Sequence, residues 1–360
     1  MTHPALHTAL CDLAGVRYPI VQTGMGWVAS AKLVSATANA GGLGIIASAT
    51  MDLRQLAEAI AETRRRTDRP FGVNLRSDAP DVMERAELMV KEGVRVASFA
   101  LAPSERLMKQ LKDQGLVCIP SIGAKRHAEK VAAWGADALI VQGGEAGGHT
   151  GSVPTTVLLP QVVDAVDIPV IAAGGFFDGR GLVAALAYGA VGIAMGTRFL
   201  LTSDSPVPAA IKEIYLAKGV TDTIVTTQVD GHPHRVLRTE FVDRLVQTNA
   251  LTSLPRAIAN ALRFQRMLGT PWRQLFREAI SMKRSQELSW SQVVMAANAP
   301  MLLRASMVEG NVHSGVMAGG QVTGLIDDLP SCAELIERIV READAILDHF
   351  AAGAAGGQGA

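Results

Sequence analysis

Eight short runs rich in Val, Ile, Ala and Phe begin about every 25 residues between Pro19 and Met195, and they leave the chain few ways to fold. They are Pro19 to Gln22, Gly44 to Ala47, Phe71 to Asn74, Val94 to Ala100, Val117 to Ser121, Ala138 to Gln142, Pro169 to Ala173 and Gly192 to Met195. Amphipathic stretches separate them. Asp52 stands where a helix would start, ahead of Leu53-Arg54-Gln55-Leu56, and Gly41, Gly93, Gly115 and Gly135 stand where helices would stop. Strands joined by helices must run parallel, because a parallel neighbour is reached only by a long crossover. An unbroken series of eight is the count at which such a sheet closes on itself. The expected class is therefore α/β, a TIM (β/α)8 barrel, with an open doubly wound sheet as the rival.

After Leu201 the rhythm breaks. Thr226 to Val236 reads as a strand, and Arg256 to Met282 as a basic helical segment. From Arg235 to Arg284 there are ten Lys/Arg against three Asp/Glu, an excess of seven (10 − 3) in a chain whose net charge is zero. An apolar helical pattern returns at Cys332 to Phe350 and would close the outer ring. The expected division is a barrel over 1–202, an insertion over its mouth at 203–298, a return to the barrel at 299–350 and a disordered Ala/Gly tail at 351–360.

With 48% apolar residues in 360, the chain can bury a large core. Zero net charge argues against nucleic acid or an anionic membrane as the main partner. No signal peptide and no run of transmembrane length is visible, so a cytoplasmic protein is expected. Cys11, Cys118 and Cys332 are widely spaced and suit a reducing compartment; they give no metal site.

In a barrel of this kind the C-terminal strand ends carry the chemistry, and there the unusual residues fall. After the sixth run comes Gly143-Gly144-Glu145-Ala146-Gly147-Gly148-His149-Thr150-Gly151, bare backbone that a flat or anionic group can approach, with one titratable imidazole, His149. The bland alternative is a mobile glycine loop with an incidental histidine. Gly24-Met25-Gly26-Trp27 follows the first run, and Asn74, an amide in need of a partner, ends the third. Gly174-Gly175 and Gly196-Thr197 follow the last two, where this fold holds a phosphate on backbone N–H groups. Trp27 and Met25 suit a pocket wall or the core equally.

These motifs, with Gly41-Gly42-Leu43-Gly44, Ala172-Ala173-Gly174-Gly175, Met195-Gly196-Thr197-Arg198-Phe199 and Met317-Ala318-Gly319-Gly320-Gln321, resemble the nitronate monooxygenase family, formerly 2-nitropropane dioxygenases. Similar motifs occur in FMN-dependent enoyl-ACP reductases. The resemblance covers most of residues 15 to 325. It implies FMN lying across the barrel rim, its phosphate on Gly174, Gly175, Gly196 and Thr197. Gly24, Met25, Gly26, Asn74, Gln142, Gly147, Gly148 and Gln321 would surround the ring and ribityl chain, with His149 as the catalytic acid/base. The Gly319-Gly320-Gln321 stretch departs from the family pattern, which has a single glycine before Gln.

Three functions follow from these readings. One is oxidation of alkyl nitronates with O2. The second is oxidation or reduction beside the carbonyl of an acyl-CoA thioester, for which the insertion's Arg235, Arg238, Arg263, Arg266, Arg273 and Arg277 would meet the phosphates of CoA. Trp27 would line the same substrate pocket. The third is a catalytically idle phosphate-ligand binder. Ile122-Gly123-Ala124, Met295-Ala296-Ala297-Asn298 and Leu325-Ile326-Asp327-Asp328-Leu329-Pro330 resemble an actinobacterial branch associated with breakdown of steroid C and D rings as CoA thioesters, which favours the second. The choice between NAD(P)H and O2 as second substrate stays open, as does oligomeric state, a homodimer included.

Overall fold

Each of the eight runs is a strand in the computed structural model, which describes residues 2–100, 103–247, 259, 262 and 299–356. They are β1 (Ile20–Gln22), β2 (Leu43–Ala47), β3 (Phe71–Leu75), β4 (Val96–Phe99), β5 (Val117–Ile122), β6 (Leu139–Gln142), β8 (Val170–Ala173) and β9 (Ile193–Met195). A two-residue strand, β7 (Gly148–His149), falls between the sixth and the seventh run. The eight pair in parallel in chain order, and β9 returns to β1 through Ile20↔Ile193, Val21↔Ala194 and Gln22↔Met195. The TIM barrel expectation holds and the open sheet is excluded.

Burial explains the near-continuous apolar runs. A strand covered on both faces has no polar side to show. Val21, Ile45, Val96, Ile119, Ile140 and Ile171 fill the barrel interior, while alternate residues such as Ile20, Ile46 and Val73 pack outward against the helices. Helix boundaries follow local chemistry. Asp52 and Gln55 form a reciprocal capping box at the head of Leu53–Arg66. Gly41, Gly93, Gly115 and Gly135 all take positive φ where a helix hands over to a strand.

Beyond the barrel, the single strand expected at Thr226 to Val236 is instead the turn and second arm of a hairpin, β10 (Thr223–Thr226) and β11 (His234–Leu237), paired antiparallel from Thr223↔Leu237 to Thr226↔His234. Gly231, at φ +89°, reverses the chain in the middle of what read as one strand. The other edge of β11 pairs with β7 through His234↔His149 and Arg235↔Gly148. The expected basic helix at Arg256 to Met282, with Arg263, Arg266, Arg273 and Arg277, lies outside the described residues apart from 259 and 262.

The closing helix runs Cys332–Gly356 and packs on the helices Gly179–Ala187 and Ala31–Asn39. At its contact with Gly179 a side chain would stand 2.4 Å from Glu342 Cβ, and Glu342 Oε2 accepts the Gly179 N–H at 2.9 Å. Of the tail expected to be disordered from Ala351, residues up to Gly356 belong to the closing helix, because alanine, the best helix former, extends a turn already nucleated, and 357–360 lie outside the described residues. Among the described residues no helix is long and apolar enough to cross a membrane.

Candidate active site

The glycine loop after β6 is pinned from three sides. Gln142, at the strand end, donates its side-chain N–H to the His149 carbonyl. Glu145 turns inward and accepts from the Thr155 N–H at 3.0 and 3.1 Å and from the Thr155 hydroxyl at 2.8 Å, placing a carboxylate at the head of helix Thr155–Val163. Arg235, on β11, donates from Nη2 to the Gly144 carbonyl at 2.8 Å and from Nη1 to Thr223 Oγ1 at 2.8 Å. The loop is thus held by Gln142, Glu145 and Arg235 side chains.

His149 itself stands open, its side chain 63% exposed, yet one nitrogen is anchored: Nε2 lies 2.6 Å from Asp230 Oδ2. Asp230 is buried beneath it, and buried His234 places Nδ1 3.5 Å from the same oxygen. The His149 and His234 rings are 4.7 Å apart between centroids, and His232 meets His149 edge-on at 6.0 Å. Burial resists a charge on Asp230, but the His149 bond and the neighbouring His234 ring outweigh that and hold the carboxyl well below the usual range. For His149, the protein packed around one side of the ring works against protonation, and the Asp230 bond and charge overcome it, so its pKa is raised. His234 goes the other way, lowered by burial, with Asp230 opposing and His149 assisting.

Sequence reasoning missed Asp230, His232 and His234. A signal existed: Asp230-Gly231-His232-Pro233-His234 puts two of the chain's eight histidines beside an aspartate, within a stretch that read as plain strand. The ligand atoms of His149, Asp230 and His234 lie within 4.8 Å of one another. Ligands around a zinc ion stand about 3.3 Å apart, so an ion would have to part His149 from Asp230. The contact observed is that of a hydrogen-bonded pair.

Around this pair the other expected residues gather on one rim. Gly24 abuts Asn74, where a side chain would stand 2.5 Å from Asn74 Cβ, and a Cβ at Gly196 would meet Met25 Sδ at 3.4 Å. Asn74 Nδ2 donates to Ser98 Oγ at 3.2 Å. Gly147 faces Gly319 and Gly320 so closely that a Cβ would lie 2.6 Å from their main chain. Gln321 N–H donates to the Glu145 carbonyl at 2.9 Å, and Gly320 N–H to Thr197 Oγ1 at 3.0 Å. Both glycines before Gln321 have a reason: a Cβ would stand 2.9 Å from the Tyr215 ring at Gly319 and 2.8 Å from the Glu145 carbonyl at Gly320.

Gly174 and Gly175 take φ +100° and +83°, and among the described residues their N–H groups have no protein partner. At Gly148 a Cβ would meet nothing within 4 Å, and at Gly175 only Glu145 Cβ at 3.9 Å. Open, glycine-lined backbone with unpaired N–H groups fits a phosphate-bearing planar cofactor.

Trp27 is placed differently. It is the one non-glycine residue at positive φ among those described, +66°, and its indole N–H donates to the Pro300 carbonyl at 2.9 Å under the Arg304 guanidinium. It thus buttresses the helix Ala299–Met307. Gly26 sits against Thr50. Arg235 braces the loop, and exposed Arg238 pairs with Asp243 at 2.9 Å. Arg263 and Arg266 lie outside the described residues.

The closed parallel barrel, with a histidine–carboxylate pair and glycines at the strand C-termini, places the chain among the (β/α)8 proteins, a class whose active sites lie at that rim. The profile of the nitronate monooxygenase family matches residues 7–342, and the chain belongs to that family of oxidoreductases. It is 63% identical over 341 residues to a Mycobacterium tuberculosis protein named (3aS,4S,5R,7aS)-5-hydroxy-7a-methyl-1-oxo-octahydro-1H-indene-4-carboxyl-CoA dehydrogenase, covering 94% of this chain and 96% of that one. A Rhodococcus jostii protein of the same name is 60% identical, covering 96% and 98%. Among solved structures it is similar to FabK from Thermotoga maritima, with TM-score 0.77 and 34% identity, covering 96% and 99% of the two chains.

Proposed function

We propose that this protein is a flavin-dependent oxidoreductase acting on an acyl-CoA thioester, in which His149 moves the proton at the carbon next to the thioester carbonyl. The observation that carries the reading is the exposed His149 ring anchored on buried Asp230 at the barrel rim. The reaction class rests on it. The thioester rests on the relatives of 60% and 63% identity, both named as dehydrogenases of a bicyclic carboxyl-CoA.

FMN is the cofactor we assign. Gly174, Gly175, Gly196 and Thr197 would hold its phosphate, and Gly24, Met25, Gly26, Asn74, Gln142, Gly147, Gly148 and Gln321 would flank ring and ribityl chain. Held there, FMN would supply a two-electron hydride acceptor for the carbon beside the one that loses its proton. His149 takes the proton from the acidic carbon, which is the other half of the same dehydrogenation. In the opposite direction it returns that proton. The pinned glycine loop holds the imidazole at a fixed place on the rim, and Arg235 braces that loop through the Gly144 carbonyl.

Oxidation of small nitronates with O2 is the second reading, favoured by family membership and by a probable nitronate monooxygenase of Staphylococcus saprophyticus at 32% identity. The two separate in an anaerobic visible spectrum of the purified yellow protein. A bicyclic acyl-CoA should bleach the flavin, or its enoyl-CoA should reoxidise flavin already reduced. Bleaching by propionate-3-nitronate alone would give the second reading instead.

A further inference from the structure

We propose that Asp230 is a positioning residue that fixes His149 as the Nε2–H tautomer and leaves Nδ1 as the atom that exchanges a proton with substrate, with His234 reserving the Asp230 charge for that task. The inference rests on His149 being the proton-transfer residue, and it adds the atom through which the transfer runs. The argument begins at the 2.6 Å contact between His149 Nε2 and Asp230 Oδ2. An ionised carboxylate only accepts, so the hydrogen between the two belongs to the imidazole. A neutral imidazole with its hydrogen on Nε2 carries its lone pair on Nδ1.

Asp230 is built to stay ionised. Its other oxygen, Oδ1, accepts the His232 backbone N–H at 3.1 Å, and the side chain is 5% exposed. His234 completes the arrangement from below. It is 3% exposed, its Nδ1 is 3.5 Å from Oδ2, and neither ring nitrogen has a closer partner among the described residues. A ring so placed stays neutral, because a second cation there would be stranded without water and would compete with His149 for one carboxylate.

The titratable groups against the His149 ring are Asp230, His232 and His234, all from the hairpin side, while Arg235, also on β11, is engaged with the Gly144 carbonyl and Glu145 with Thr155. The direct Asp230 contact prevails over the protein packed around the ring, and the His149 pKa is raised from 6.5. The sign follows. At pH values below the raised pKa His149 holds both protons and can only give one; above it Nδ1 is free to accept. Dehydrogenation should therefore rise with pH to a plateau with its midpoint above 6.5, while the reverse reaction falls through the same midpoint.

The test is 15N NMR of the holoenzyme labelled at histidine, with the His149 signals assigned by their loss in His149→Ala. Above the midpoint the wild type should show Nε2 protonated and Nδ1 bare, a result that needs no substrate. Asp230→Asn should mix the tautomers, bring the midpoint down to the ordinary histidine range or below, and lower kcat roughly 10- to 100-fold with little change in KM. Asp230→Glu should restore the tautomer and part of the rate. An Nδ1–H tautomer in the wild type would overturn the proposal even if neither Asp230 variant folds. So would an Asp230→Asn enzyme with unchanged midpoint and turnover. The tautomer is the same whether thioester or nitronate is turned over, so failure of the substrate reading is seen separately, in the flavin spectrum.

Discussion

With His149 replaced by alanine, the Gln142 side chain still meets the residue-149 carbonyl and Gly148 still pairs with Arg235, so the loop keeps its place. Flavin should therefore remain bound while turnover falls by roughly a hundredfold or more, the scale of a lost acid–base group. Steady-state rates on flavin-loaded protein check this, and unchanged turnover would remove the role. His149 was visible in the sequence because of its company: five glycines in a nine-residue stretch leave room for a ligand and none for a core. Asp230 and His234 were not, because their partner is about eighty residues away and no local pattern announces the pairing. Trp27 is a further case. Its apolar side chain suited a pocket wall or the core equally, and neither its positive φ nor its bond to Pro300 could be read from the sequence.

At the scale of elements, two loops from opposite ends of the chain meet main chain to main chain. Gly147→Ala would put a methyl 2.6 Å from Gly319 and Gly320, and the backbones cannot both stay. The Gln321–Glu145 bond should then break, with flavin affinity falling at least tenfold and stability by about 1–3 kcal/mol. Gly115→Ala, ahead of β5 at the opposite end of the barrel from the rim, is the control, since its φ of +80° costs about 1–2 kcal/mol but its Cβ meets nothing within 4 Å. Flavin titration and thermal unfolding of both variants check the contrast, and a Gly147→Ala protein that binds flavin like the wild type would contradict it. Barrel strands were legible to within two residues, because buried parallel strands are β-branched runs bounded by glycine. The hairpin β10–β11 was read as one strand, because Gly231 lies inside an otherwise strand-like stretch, and its pairing with two-residue β7 is too short to leave a period.

For the whole molecule, closure of the barrel brings residues from Gly24 to Gln321 to one rim, and the hairpin beyond β9 lays Asp230 under the histidine of the loop after β6. The closure was legible in the count of eight runs; the completion of the site by a segment outside the barrel was not, since only tertiary pairing places it. The central claim is that this rim removes the proton next to a thioester carbonyl and that His149 does it. Deuterium uptake at that carbon tests it most directly: flavin-loaded enzyme in D2O without O2, a bicyclic acyl-CoA, and mass or NMR analysis of recovered substrate and product. Wild-type protein should wash deuterium into that position and His149→Ala should lose the exchange by roughly a hundredfold. Exchange that persists undiminished in His149→Ala, or a wild-type enzyme that exchanges nothing at that carbon while oxidising nitronates, would contradict the account.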